Sequence, residues 1–305
     1  MFQGDVLKVK IAPEVQEALQ AGTPVVALES CVLALGLPRP MNMSCAKEAM
    51  ATIREVGAVP AVIAVVNGEP CVGISEAELS QLCRGKDFVK ASCDDLPGMI
   101  VCRRNAATTV SASLVIAERA GIQVFTTGGL GGISIHCNQH FDASSDLLQL
   151  TRTRLAVVCS GVKSVQDIGA SMECLESLGV PIALYRTDKF PGFFAPGYHI
   201  SSGVTMESVE QVAAFYKISL DLLGRGVVVA NPAPADKLLD REALDSALRE
   251  AQVQAESDGV SGKQLTPFLM DYLARVTKGA TLEANHALLL ANAKLAAELA
   301  CHLKG

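Results

Sequence analysis

A chain of 305 residues that is 50% hydrophobic, 19% charged and 4% aromatic, with no tryptophan, is too apolar for disorder, which needs low hydropathy and high net charge. Its length is ample for a large buried core. The net charge of −6 leaves no basic footprint for nucleic acid, so an anionic small molecule would need local positive charge.

Taken in order, the first strand-like run is Pro24 to Leu28, closed by Glu29-Ser30. A carboxylate ending Val25-Val26-Ala27-Leu28 is partly stripped of water, which raises its pKa and suits a general acid; an exposed turn glutamate is the competing reading. Met41 to Val56 reads as a helix, Ala61 to Val66 as a strand, and Glu76 to Cys83 as a helix opened by a Ser75/Glu78 capping box. Lys90 follows a short strand-like piece, where spacing alone favours a solvated loop lysine. Asn105 to Val110 reads as the opening of a helix running from Val110 to Ala120. The Thr108 and Thr109 hydroxyls with Arg103 and Arg104 nearby would suit an anion there, with plain capping an equal alternative.

The strand Gln123 to Thr127 leads into Gly128-Gly129-Leu130-Gly131-Gly132, which permits close backbone approach to a ligand but matches no nucleotide-binding glycine motif. Asp142-Ala143-Ser144-Ser145-Asp146 sets oxygen side chains at alternate positions. It lacks the loop glycine and final glutamate of an EF-hand, and reads either as a water-mediated cation site or as a doubled helix cap. Leu155 to Cys159 is a strand running into Ser160-Gly161-Val162-Lys163-Ser164, with Ser164 read as N-cap of a helix Val165 to Leu178. Helix amides beside Lys163 would depress its pKa and supply the neutral amine of Schiff-base chemistry; a surface loop lysine is the plainer reading. There follow a strand Pro181 to Tyr185, a helix Met206 to Leu223, a strand Gly226 to Ala230 ending at Asn231-Pro232, and helices Arg241 to Ser257 and Leu282 to Leu303. The last is long enough to span a membrane but carries Glu283, Lys294 and Glu298, so no spanning segment is expected. Asn285 and Asn292 share one of its faces, and buried amides need partners.

Alternating strands and helices predict an α/β fold: one domain over residues 1–305, three layers (α/β/α), a central and mostly parallel sheet. Ligands in such folds bind beyond the carboxyl ends of the strands, where Glu29, the glycine loop, Lys163 and Asn231 would share one site. The ten cysteines contain no C-x-x-C pair and read as reduced core filler. No secretory pattern opens the chain, so a cytoplasmic location is expected.

Several segments in order carry a resemblance: Pro24 to Ser30, Gly57 to Ala61, Lys90 to Pro97, Ala107 to Val110, Phe125 to Gly132 with Phe141-Asp142, Val157 to Ser164, Val228 to Pro232, and Gly262-Lys263 with Thr266 to Leu269. Together they resemble the pseudouridine-5′-phosphate glycosidase family, also called indigoidine synthase A-like, over nearly the whole chain. The resemblance implies reversible cleavage of the C–C glycosidic bond of pseudouridine 5′-phosphate to uracil and ribose 5-phosphate. It also implies one divalent cation per subunit (Mn2+, or another such as Mg2+) and a homotrimer. It places the proton donor at Glu29, the nucleophilic lysine at Lys163, a second site lysine at Lys90 and a metal ligand at Asp142. Substrate contacts fall on Val110, with Thr108 and Thr109 beside it, and on Ser144, Ser145 and Asp146; an active-site asparagine falls on Asn285.

The chemistry explains the residue types. A C–C glycosidic bond has no leaving oxygen or nitrogen to protonate, so a pair of carboxylates alone would struggle. An amine capturing C1′ of the opened ribose yields an iminium that assists the break, while an acid delivers a proton to C5 of uracil. Lys90 would help deprotonation or hold the sugar. The chain departs from the family pattern at Ala34-Leu35-Gly36, where Ser-His-Gly is usual, and at Ser134-Ile135-His136, where His-Arg-Gly is usual. These changes point to altered phosphate recognition, with Arg103, Arg104, His136 or His140 as replacements, or to an unphosphorylated C-nucleoside as substrate. A weakened sugar-phosphate binder and an aldolase-like Schiff-base enzyme are the competing classes. The scarcity of aromatics predicts that uracil is held by backbone and amide groups and not by stacking.

Overall fold

A computed structural model describes residues 8–135, 142–199 and 202–304. The chain opens with β1 (Lys10–Ile11), α1 (Pro13–Gln20), β2 (Val25–Leu28) and a single π-helical turn (Val32–Gly36). Next come α2 (Met41–Val56), β3 (Val59–Val66), β4 (Glu69–Val72), α3 (Glu76–Arg84), β5 (Phe88–Ala91), α4 (Leu96–Val101), β6 (Asn105–Thr108), α5 (Val110–Arg119) and β7 (Val124–Thr126). The second half runs α6 (Ser145–Leu150), β8 (Ala156–Cys159), α7 (Ile168–Ser177), β9 (Ile182–Tyr185), β10 (Phe190–Gly192), β11 (Ala195–Tyr198), β12 (Val204–Met206) and α8 (Val209–Leu223). It closes with β13 (Val227–Ala230), α9 (Arg241–Ser257), α10 (Leu265–Val276) and α11 (Ala280–Leu303).

The main sheet has the order β1-β4-β3-β2-β7-β8-β13-β9-β12, with β6 added on β3 and β5 on β6. Its centre is parallel throughout, and β3 pairs antiparallel with β4 and β6. The sequences explain this. Val-Val-Ala-Leu in β2, Ala-Val-Val-Cys in β8 and Val-Val-Val-Ala in β13 are buried at every position, the continuous apolar run of parallel strands covered on both faces. Successive residues feed opposite cores. Val25 and Ala27 pack with Leu114 of α5 and Met172 of α7, whereas Val26 and Leu28 pack with Ile53 of α2, Tyr216 of α8 and Ala296 of α11. This is the expected three-layer α/β/α arrangement. A third apolar cluster joins α9, α10 and the β10–β11 hairpin to α11. Among the described residues no helix is long and apolar enough to cross a membrane, and every cysteine is unpaired.

Two local expectations are corrected. Asn105–Thr108 is not a helix opening but strand β6, held between β3 and β5; pairing on both sides outweighs the local capping signal. Ser164 is not a helix cap. Its hydroxyl donates to the Gly192 carbonyl and accepts from Phe194 N, which ties the β10–β11 hairpin to the lysine loop, and Asp167 caps α7 by accepting from Ala170 N.

Candidate active site

The carboxyl ends of β2, β7 and β8 open into a cavity of about 820 Å³. Glu29 stands one residue past β2. Its backbone N–H still donates to Thr126 O, so the strand delivers the side chain to the cavity floor, where it is 3% exposed. The Thr127 hydroxyl donates to Glu29 Oε2. Burial pushes the Glu29 carboxyl above its ordinary value, against the pull of Lys163 and of the Thr127 hydrogen bond. That is the raised acid expected from the sequence.

Lys163 arrives on an extension of the same ladder. Leu130 N donates to Gly161 O at 2.9 Å and Lys163 N to Leu130 O at 3.0 Å, so the glycine loop and the lysine loop keep pairing beyond their strands. Gly161, at φ +85°, makes the turn; a Cβ there would strike the Pro191 carbonyl, so only glycine fits. The expected depression of the Lys163 pKa is reversed. Burial lowers it, but the Glu29 and Asp146 carboxylates outweigh burial and hold the ammonium above its ordinary range. The physical reason is that α7 begins only at Ile168, so its amides do not face the lysine, while two acids do.

Asp146 is buried and fully engaged. Oδ1 accepts from Ser111 N and Oδ2 from Gly131 N, both at 2.9 Å. It therefore caps α5 from outside and pins the glycine loop in one stroke. A Cβ on Gly131 would lie 2.8 Å from Asp146 Oδ2, which explains that glycine. Ser144 accepts from Asp146 N at 3.2 Å and caps α6. Ser145 Oγ, Ser111 Oγ and Thr109 Oγ1 form a chain of hydroxyl contacts of 2.9 and 3.0 Å along one wall.

Glu29, Lys90, Thr109, Asp142, Ser144, Ser145, Asp146, Lys163 and Asn285 all line the one cavity. Thr108 and Val110 do not. Thr108 is buried behind the wall, its N–H donating to Ser30 Oγ at 2.8 Å and its hydroxyl to Ile63 O at 2.7 Å; Val110 is wholly enclosed. The two asparagines of α11 differ. Asn292 donates to Thr127 O and accepts from Asn231 Nδ2, each at 2.9 Å, and meets Ser160 Oγ, so it stitches the ends of β7, β8 and β13. Asn285, 2% exposed, leaves its Oδ1 without a partner among the described residues.

A family model described as indigoidine synthase A-like protein matches residues 14–302. The chain belongs to that family. It is 46% identical to a pseudouridine-5′-phosphate glycosidase of Alkaliphilus metalliredigens, over 96% of this chain and 95% of the relative. It is 42% identical to one of Petrotoga mobilis, over 95% of each. Two solved structures superpose at TM-score 0.90 and 33% identity. The prealnumycin C-glycosynthase AlnA in complex with ribulose 5-phosphate covers 99% of this chain and 98% of its own, and an indigoidine synthase A-like protein of Thermotoga maritima covers 100% of both.

The mouth has an apolar edge. Leu35, in the π-helical turn, lines it and is 38% exposed. Two of the proposed cationic replacements are not there. Arg103 and Arg104 precede β6 at the end remote from Thr109 and do not line the cavity, and Ile135 does not line it either. His136 and His140, with Phe141, lie outside the described residues. Arg152, just past α6, lines the cavity, and no motif marked it. Phe193 also lines it, an aromatic in the left-handed region at φ +63° whose ring packs on Gly129. A bulky residue is rarely found there, and a short Phe-Phe pair carries no signal of it. A divalent cation would find the Asp142 carboxylate in the lining. Among the described residues no three His, Cys, Asp or Glu side chains converge as a metal-binding group; a hard cation there would have to keep most of its water.

Proposed function

We propose that this cavity cleaves, reversibly, the C–C glycosidic bond of pseudouridine 5′-phosphate to uracil and ribose 5-phosphate, through a Schiff base on Lys163. The observation carrying this reading is one cavity lined by a buried acid and a partly buried amine whose charges act on each other. A Glu29 carboxylate with a Lys163 ammonium, and a neutral acid with a neutral amine, contain the same number of protons. One internal proton shift therefore creates the nucleophile and the general acid together. Exclusion of water when substrate fills the cavity favours the neutral pair, because desolvation penalises both charges. The amine then attacks C1′ and the ribose C1′–O4′ bond breaks, O4′ taking the proton that the attacking nitrogen loses. Glu29 protonates C5 of the base, and the C5–C1′ bond breaks as the nitrogen lone pair closes on C1′ as C=N. Water hydrolyses that iminium to ribose 5-phosphate and the free lysine.

Asn285 offers an unpaired amide oxygen to a donor on the base or sugar. Lys90 stands in the lining as a second cation for the sugar phosphate, beside the Thr109–Ser111–Ser145 hydroxyls. Asp142 would hold the divalent cation, Mn2+ or Mg2+, whose charge would help bind and orient the anionic substrate. The same reading carries a cytoplasmic homotrimer with one cation per subunit, checked by light scattering and metal analysis of purified protein. The exposed Leu35 at the mouth favours one variation, a preference for an unphosphorylated C-nucleoside. Pseudouridine 5′-phosphate and pseudouridine should be assayed side by side with Mn2+. Release of uracil from the phosphate ester supports the proposal; release from the nucleoside alone supports the variation; release from neither contradicts both.

A further inference from the structure

Glu29 has two oxygens, and the structure treats them differently. Oε2 accepts the Thr127 hydroxyl. Oε1 takes no hydrogen bond from a described residue and is not among the sealed, unpartnered atoms, and Glu29 lines the main cavity as well as a small apolar pocket beside Thr127. Thr127 itself cannot drift. It is 2% exposed, its N–H donates to Val158 O at 3.1 Å, and its carbonyl accepts from Asn292 at 2.9 Å. A hydroxyl owns one proton. Among the described residues the Thr127 hydroxyl has no other acceptor, so an acid proton on Oε2 would force it to turn from donor to acceptor and lose that partner.

We propose that Thr127 is a positioning residue that assigns the transferable proton of Glu29 to Oε1, the oxygen open to the substrate. The inference rests on the activity proposed above. In the step it serves, the Oε1–H bond breaks and C5 of the base takes the proton with its C5=C6 electron pair. The C5–C1′ pair then restores that double bond, and the Lys163 nitrogen lone pair closes on C1′ as C=N. The carboxylate left behind keeps the Thr127 hydrogen bond on Oε2, which stabilises it. Three other ionisable groups act on Glu29: Lys163 and Lys90 favour its charged form and Asp146 opposes it; Cys31, two residues on, is a neutral thiol pushed to about 12 by burial.

The test is Thr127→Val, which keeps the shape and removes the donor, with Thr127→Ser as rescue. Loss of a hydrogen bond to the charged form moves the Glu29 titration up by about one pH unit. Because the acid must be protonated, the limb of kcat that falls with rising pH moves up by the same amount, and kcat itself falls about tenfold. Thr127→Ser returns both. Carboxyl-13C-glutamate NMR on the full chain, with Glu29→Gln to assign the resonance, reads the same titration without substrate. An unmoved titration and limb with reduced kcat would mean a merely structural threonine and would overturn the proposal. If Thr127→Val does not fold, Thr127→Ala against Thr127→Ser decides by the same two readouts. If the wild-type protein does not cleave pseudouridine 5′-phosphate, the functional reading fails, while the NMR titration still rules on Thr127.

Discussion

The floor of the cavity and its mouth are built by different means. Glu29, Thr127 and Lys163 stand at the ends of adjacent parallel strands, and their backbones continue the ladder or its extension. Asp146 and Asn292 tie that floor together with side-chain bonds to main-chain groups. Leu35, Asp142 and Arg152 instead stand in a π-helical turn, at a loop base and past a short helix. The difference teaches that chemistry and selectivity are separable here: the floor is held by the fold, and the mouth by segments that can change without disturbing it.

Substitutions sharpen that contrast in order of effect. Lys163→Ala removes the only proposed nucleophile, and turnover should fall at least about 10⁴-fold, measured by uracil release. Glu29→Gln should lower kcat by about 10² to 10⁴ and erase the high-pH limb. With the Glu29 pKa raised by burial, that limb in the wild type lies above the ordinary glutamate range, and activity falls as pH rises through it. The two α11 asparagines should part company. Asn292→Ala strands several buried partners and costs about 2–3 kcal/mol in denaturant unfolding, whereas Asn285→Ala costs under about 1 kcal/mol yet raises KM. A comparable loss of stability in both would break the distinction drawn between strut and ligand contact. At the mouth, Arg152→Gln should raise KM about tenfold for a phosphorylated substrate with kcat unchanged. The smallest effect is expected from the cation: Asp142→Asn, titrated with Mn2+ after chelation, should need more metal for the same rate without unfolding.

The floor was also the legible part. Strand ends can be read from four-residue apolar runs such as Val25–Leu28 and Ala156–Cys159, and whatever follows them is placed by topology. The helices Met41–Val56 and Arg241–Ser257 fall where their patterns put them. Capping logic failed where tertiary partners intervened. Ser164 serves the hairpin, and Asn105–Thr108 yields to sheet pairing. The direction of the Lys163 shift was misread for a similar reason: a local dipole was counted, and the Glu29 and Asp146 carboxylates, distant in sequence, were not. Arg152 and Phe193 reach the cavity through three-dimensional neighbours that no spacing rule encodes. The family resemblance supplied Asp142, Ser144 to Asp146 and Asn285, whose plain readings as caps or core amides were equally good. The structure then shows that Asp146 does act as a cap.

The Schiff base on Lys163 is tested most directly by borohydride reduction of the wild-type enzyme during turnover of pseudouridine 5′-phosphate, followed by peptide mass spectrometry. A reduced ribose 5-phosphate adduct on Lys163, absent in Lys163→Ala, is the predicted result. An adduct on Lys90 in its place, or trapping that persists unchanged in Lys163→Ala, would contradict it.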